Sequence, residues 1–272
     1  MAEPIPDRLP LRTAPLADRE HCRLPGSLLD AHDLQVGRQV RLRRDDLCAL
    51  YTVVGTDEGV VVSPEGQERL GAGGPVSVDA TVVTPPDDGV AGSLVESVSD
   101  GDDHLVACAP HGGGMERWTD EQAERLAERL GGTAWVCRGH WPEWEAFDRW
   151  HVTSNDVHPE SFPALGRVAE RAYERAVSFH AWRKAGIGVG GAAPRDLRVA
   201  VRDAIADAVD DSVRVELATD PRYRGDQPGN LVNWLTADGE SGVQIEQGRV
   251  VREDHRDEIV DAVSSVLERS RR

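Results

Sequence analysis

Residues 104–117, HLVACAPHGGGMER, place His111 directly after an apolar run and Glu116 five residues later. An imidazole nitrogen and a carboxylate oxygen together suit a Zn²⁺-type cation. Gly112, Gly113 and Gly114 lie between them and let the backbone turn sharply and pass close to a bound group. A second apolar run, 176–179, ends on His180, and the stretch 242–246 reads as a strand with a carboxylate, Glu246, at its end. His111, Glu116 and His180 make a two-histidine, one-carboxylate set, which leaves a coordination position open. Glu246 beside that position is the expected general base, taking a proton from water and returning it to a leaving amine. An ion held by such a set lowers the pKa of its water from about 16 toward roughly 7. The chemistry implied is metal-assisted amide hydrolysis.

These residues are spread over some 135 positions, so the fold must bring them together. In open α/β sheets, ligands bind beyond the carboxyl ends of the strands, and the sequence after residue 93 alternates strand with helix. Helix is expected over 119–130, with Thr119 as cap, acids in the first turn and Gly131-Gly132 as the stop. Strands are expected over 133–138, 150–154, 212–217 and 242–246, and an apolar run over 176–180 that reads as another. Further helices are expected over 163–175, 195–209, 228–235 and 255–269. The pattern is that of an α/β domain with a largely buried sheet, spanning 95–272. Ahead of it, residues 1–25 hold five prolines and read as a flexible arm. Short β-rich runs over 26–84, separated by Gly and Pro turns, read as a small all-β, barrel-like domain, and 85–94 as a linker. The aromatic run 140–150 reads as a loop packed over the catalytic sheet.

The formal net charge is −17 over 272 residues, and Lys184 is the only lysine among 31 Lys and Arg. That balance argues against a nucleic-acid partner, because phosphate binding needs concentrated cations. It fits the solvated surface of a halophilic protein, or alternatively a GC-rich genome with an ordinary acidic surface. No run has signal-peptide or membrane-spanning character, so a cytoplasmic protein without a membrane partner is expected. The four cysteines are widely separated and read as reduced thiols. Nothing in the sequence sets an oligomeric state.

The series APHGGGMER, AVSFHAW, GVGG, PGNLVNW and GVQIEQ, in this order and at these separations, resembles the poly-γ-glutamate hydrolase family of phage-type zinc peptidases. The resemblance covers about 95–270. It implies a zinc carboxypeptidase-like mixed sheet flanked by helices and one Zn²⁺ per chain. It also implies His111, Glu116 and His180 as ligands and Glu246 as base. Residues 151–154, HVTS, resemble a positional HITS segment of the family. The chain has Trp234 where the family commonly has Arg, and Ala181-Trp182 where it often has Gly.

The implied substrate is a γ-glutamyl polymer or peptide, which offers one α-carboxylate per unit. Arg252, Asn230 and Asn233 are the candidate substrate-binding residues, with Arg222 and Arg224 as weaker ones. His140 is the substitute ligand should His180 not serve. Two other readings stay open: a zinc amidohydrolase or deacylase acting on another small acylated amino acid, and a non-catalytic metal-binding regulator.

Overall fold

The computed structural model describes residues 8–71, 73–83 and 92–270. The chain divides into two compact units, one of Met1–Val95 with Gly139–Pro163, the other of Glu96–Arg138 with Ala164–Arg272.

The first unit is built on a six-stranded sheet. Its strands are β1 (Leu11–Thr13), β2 (His21–Leu24), β3 (Gln39–Arg44), β4 (Leu47–Thr56), β5 (Val60–Val62) and β6 (Ser77–Asp79), in the order β1-β5-β2-β4-β3-β6. A bridge between Leu9 and Val76, with both backbone amides donating, joins its two edges. Residues 8–25 therefore carry two strands instead of a disordered arm, while 1–7 lie outside the described residues. Cys22 and Leu24 of β2 are buried in the core with Val40, Leu42, Tyr51 and Val62, and that burial holds a proline-rich segment in place. The unit also holds helices α1 (Gly26–Ala31) and α2 (Pro64–Glu68), so it is not purely β.

Residues 140–150 cluster with this unit instead of lying as a loop on the catalytic sheet. Arg69 fastens them: its guanidinium donates to the carbonyls of Leu50, Asp148, Arg149 and His151 and stacks 4.6 Å from the Tyr51 ring. Trp150 ends a short helix, α4 (Ala146–Trp150), and residues 151–153 are not a strand. His151 Nδ1 lies 2.6 Å from Glu20 Oε1. Of the expected linker, 85–91 lie outside the described residues, and Ser93 opens a strand.

The second unit carries a seven-stranded mixed sheet. Its strands are β7 (Ser93–Ser99), β8 (Asp102–Gly113), β9 (Gly132–His140), β10 (Ala176–Ala181), β11 (Ile187–Gly190), β12 (Val215–Leu217) and β13 (Gly242–Gln247). The order is β12-β11-β13-β10-β8-β9-β7. Strand β10 runs parallel to both β8 and β13, and β11 antiparallel to β13. Helices α3 (Thr119–Leu130), α6 (Arg195–Ala208) and α8 (Arg249–Ser270) bury their apolar residues against one face. Leu105, Ala107, Ala109, Val177, Phe179, Val243 and Ile245 line that face. Helix α5 (Pro163–Ala169) stops six residues short of the expected end, and α7 (Leu231–Trp234) is a single turn beside β10 and β13. Helix α8 starts six residues earlier than expected and is broken by a non-helical His255.

Thr119 does not cap α3. The N-cap is Trp118 in the left-handed region, and the Thr119 hydroxyl donates instead to the Glu116 carbonyl at 2.7 Å. The start of the helix is thereby tied to Glu116. All four cysteines are buried thiols outside any disulfide, and burial pushes each of the thiols of Cys22, Cys108 and Cys137 up.

Candidate functional site

The register of β10 on β13 sets Ser178 opposite Gln244 and His180 opposite Glu246. Alternation along a strand puts successive side chains on opposite faces. Phe179 and Ile245 enter the core, so His180 and Glu246 emerge together on the other face. On β8, pairing with β10 reaches Cys108, and His111 stands three residues beyond it. The His111 carbonyl accepts the Glu116 amide at 2.8 Å, which folds the glycine run into a tight turn and swings Glu116 back toward the sheet. Gly113 has φ +67° within it, a conformation that costs glycine nothing and other residues more.

The result is convergence. Glu116 Oε2 lies 3.5 Å from Nδ1 of His111 and 3.5 Å from Nδ1 of His180, and the two rings are 5.2 Å apart. Ligand atoms held at about 2.0–2.1 Å by one tetrahedral ion stand roughly 3.3–3.4 Å apart, so this spacing fits one small divalent cation. His180 Nε2 and Glu246 Oε2 are buried with no hydrogen-bond partner, which a polar ligand would relieve. His111, Glu116, His180 and Glu246 are each at most 4% exposed. The donor set therefore fits a metal.

Electrostatics separate the two carboxylates. Burial works against ionising Glu116, yet His111 and His180 beside it hold its carboxyl well below the usual range. Burial pushes Glu246 up to about 7; His180 opposes the rise and the Glu116 charge adds to it. One carboxylate is thus kept as an anion and the other is poised to exchange a proton near neutrality.

Arg252, in the first turn of α8, is 6% exposed, and its Nε and Nη1 have no partner. Burial lowers its pKa, while the charges of Glu116 and Glu246 raise it, so this cation sits within electrostatic reach of the site. Asn230 differs: its Oδ1 caps α7 by accepting the Val232 amide, and its Nδ2 donates to Gln244 Oε1 at 3.1 Å. Gln244 Nε2 donates in turn to Glu246 Oε1 at 2.8 Å. Asn230 therefore reaches the site through Gln244, a residue that sequence reasoning missed. The signal was a polar residue two positions before Glu246 in a strand buried throughout.

Asn233 corrects the sequence expectation. Fully buried, its Nδ2 donates to the carbonyls of Gly225 and Gln227 at 2.8 Å each, and its Oδ1 accepts the Ala192 amide at 3.0 Å. No atom is left for a substrate. Asn233→Ala is expected to cost about 2–4 kcal/mol of stability, because it removes three hydrogen bonds at once and strands the buried Gly225 carbonyl and the Ala192 amide, itself half-buried. A thermal midpoint equal to the wild type's would show that these bonds carry nothing. Arg222 and Arg224 lie on the loop that Asn233 pins, paired with Asp220 and Asp226. His140 ends β9 and is exposed.

Residues 94–261 match the family described as poly-gamma-glutamate hydrolase. The chain belongs to the poly-gamma-glutamate hydrolase family. All four residues above fall within the matched segment of this hydrolase family. A solved bacteriophage poly-gamma-glutamate hydrolase is 23% identical, with a TM-score of 0.54, over 65% of this chain and 89% of that one. The zinc-free apo form of YNDL is 21% identical, with a TM-score of 0.54, over 69% of this chain and 93% of that one. These likenesses show a shared fold. No curated protein matches the chain. Among the described residues, no helix is long and apolar enough to cross a membrane.

Proposed function

We propose that this poly-gamma-glutamate hydrolase family member is a Zn²⁺-dependent hydrolase of γ-glutamyl amide bonds, acting on poly-γ-glutamate or γ-glutamyl peptides. The observation that carries the reading is Glu116 Oε2 at 3.5 Å from Nδ1 of both His111 and His180, with Glu246 in register beside His180. His111, Glu116 and His180 would hold one ion per chain. When bound, it supplies Lewis acidity, withdrawing electron density from an oxygen placed against it. Zinc is favoured by the His/Glu donor set and by a neighbour of the same fold described in a zinc-free state.

Glu246 takes the proton of the attacking water and passes it to the departing amine. A carboxyl near neutrality can do both. Gln244, held by Asn230, fixes Glu246 Oε1 and leaves Oε2 free to work. Arg252 meets a substrate carboxylate or the oxyanion, for which its unpartnered N–H groups are suited. Burial of all four side chains excludes bulk water and strengthens each of these interactions.

The test is elemental analysis followed by initial rates on matched γ-linked and α-linked glutamyl substrates. The reading expects about one zinc per chain and cleavage of the γ-linked set. Metal with activity only on other acylated amino acids would favour the deacylase reading. Metal with no hydrolysis at all would favour a regulator.

A further inference from the structure

Trp182 lies two residues beyond His180, and its indole packs on Gly188, where a Cβ would fall 2.4 Å from the ring. Gly188 pairs with Glu246 across β11 and β13. Paired residues share a face, so the indole lies on the same face as Glu246, over the neighbouring strand, with strands about 4.8 Å apart. The Trp182 amide donates to the Gln247 carbonyl and its Nε1 to the Gly186 carbonyl, which fixes the ring. Tyr223 meets it edge-on, with centroids 5.8 Å apart, and the Tyr223 carbonyl accepts Gln244 Nε2 at 3.3 Å. A rigid aromatic wall therefore adjoins the base.

Two cations sit on this wall. Lys184 Nζ is 5.2 Å from the Trp182 ring and 5.1 Å from the Tyr223 ring, and the Arg222 guanidinium is 5.4 Å from Tyr223. Both lean on one carboxylate: Asp220 lies 3.1 Å from Lys184 and 2.9 Å from Arg222. Two positive charges against one negative leave a net positive ledge on a chain of net charge −17. The side chains of Lys184 and Arg222 are 43% and 76% exposed, so both can meet a ligand. The chain's single lysine is placed here, where ring faces hold its ammonium.

We infer that Lys184 and Arg222, seated on the Trp182–Tyr223 wall, form an outer subsite that grips a carboxylate of an anionic chain away from the bond being cleaved. This inference rests on the hydrolase reading above. It gives an acidic protein a local means of holding a polyanion, and it separates long substrates from short ones. A dipeptide ends before the ledge, whereas a polymer extends across it.

The experiment uses the full chain loaded with zinc. Lys184→Met and Arg222→Met are compared with Arg202→Met, which removes the same charge from the outer side of α6, where Arg202 pairs with Asp203. Binding of poly-γ-glutamate of uniform length is measured by titration calorimetry in a Glu246→Gln background, and initial rates are measured on polymer and on a γ-glutamyl dipeptide. Each ledge variant is expected to weaken polymer binding about tenfold, with a loss in kcat/KM on polymer about tenfold larger than on dipeptide. Arg202→Met is expected to bind like the parent. Bound polymer is also expected to protect Lys184 from an amine-acetylating reagent, read by mass spectrometry as one modified lysine. Equal losses on polymer and dipeptide, ledge variants matching Arg202→Met, or unprotected Lys184 would overturn the subsite. A parent that binds no polymer would overturn it too. A parent that binds polymer at the ledge but cleaves neither substrate would overturn the hydrolase reading and uphold the subsite.

Discussion

Glu246→Gln is expected to keep its metal and its fold while turnover falls by about 10²–10⁴-fold, the range for losing a positioned general base. The substitution changes one oxygen to an amide nitrogen and little else. The amide oxygen can still accept Gln244 Nε2, so the Asn230–Gln244 chain that orients position 246 survives. Residue 246 stands opposite His180 on the sheet, and its backbone pairing on both sides is unaffected. What disappears is a buried carboxyl poised to exchange a proton near neutrality. The check is kcat alongside bound zinc per chain. A variant with full zinc and wild-type kcat would remove Glu246 from the chemistry. A variant that lost its zinc would instead make Glu246 a ligand.

His180→Ala is expected to do the converse, weakening metal affinity by more than about 100-fold and removing activity with it. Loss of an outer-shell partner alone typically costs 10–100-fold, and His180 is nearer: its Nδ1 lies 3.5 Å from the shared Glu116 oxygen. The Ala181 amide still donates to Glu116 Oε2 at 3.0 Å, so the carboxylate stays in place with one histidine beside it. Thermal unfolding with and without added zinc separates a lost ligand from a damaged fold. Metal at a hundred times its Kd stabilises the native state by about 2.7 kcal/mol. Wild type is expected to show an increase of that size, and the variant little of it, while their metal-free midpoints stay close. A variant with the full zinc-dependent rise would show that His180 is not needed for binding.

Much of the candidate site was legible because its residues close strand-like runs. A histidine or glutamate closing a buried strand is costly unless it is paired or put to use, and His180 and Glu246 stand out for that reason. His111 and Glu116 were legible through the glycines between them. Helix α3 was found over its full length because the acids at its start and Gly131, at φ +67°, at its end are local signals. The strands that were missed have no such signal. Strands β1, β2 and β7 are short or polar on alternate positions, and β11, Ile187–Gly190, carries two glycines that disfavour a strand by themselves. Each is held by partners distant in sequence, β11 by β13 and β12.

Residue type and local spacing by themselves determined which side chains could ligate, which could exchange a proton, and that an α/β unit would carry them. Those are properties of short windows. Tertiary pairing alone decided the rest: His180 facing Glu246, Asn233 closed off by three backbone groups while Arg252 keeps free N–H groups, and Trp182 filling the space left by Gly188. A hydrogen bond or a ring contact consumes a polar group or a face only when a particular neighbour arrives, and that neighbour is chosen by strand register across many residues.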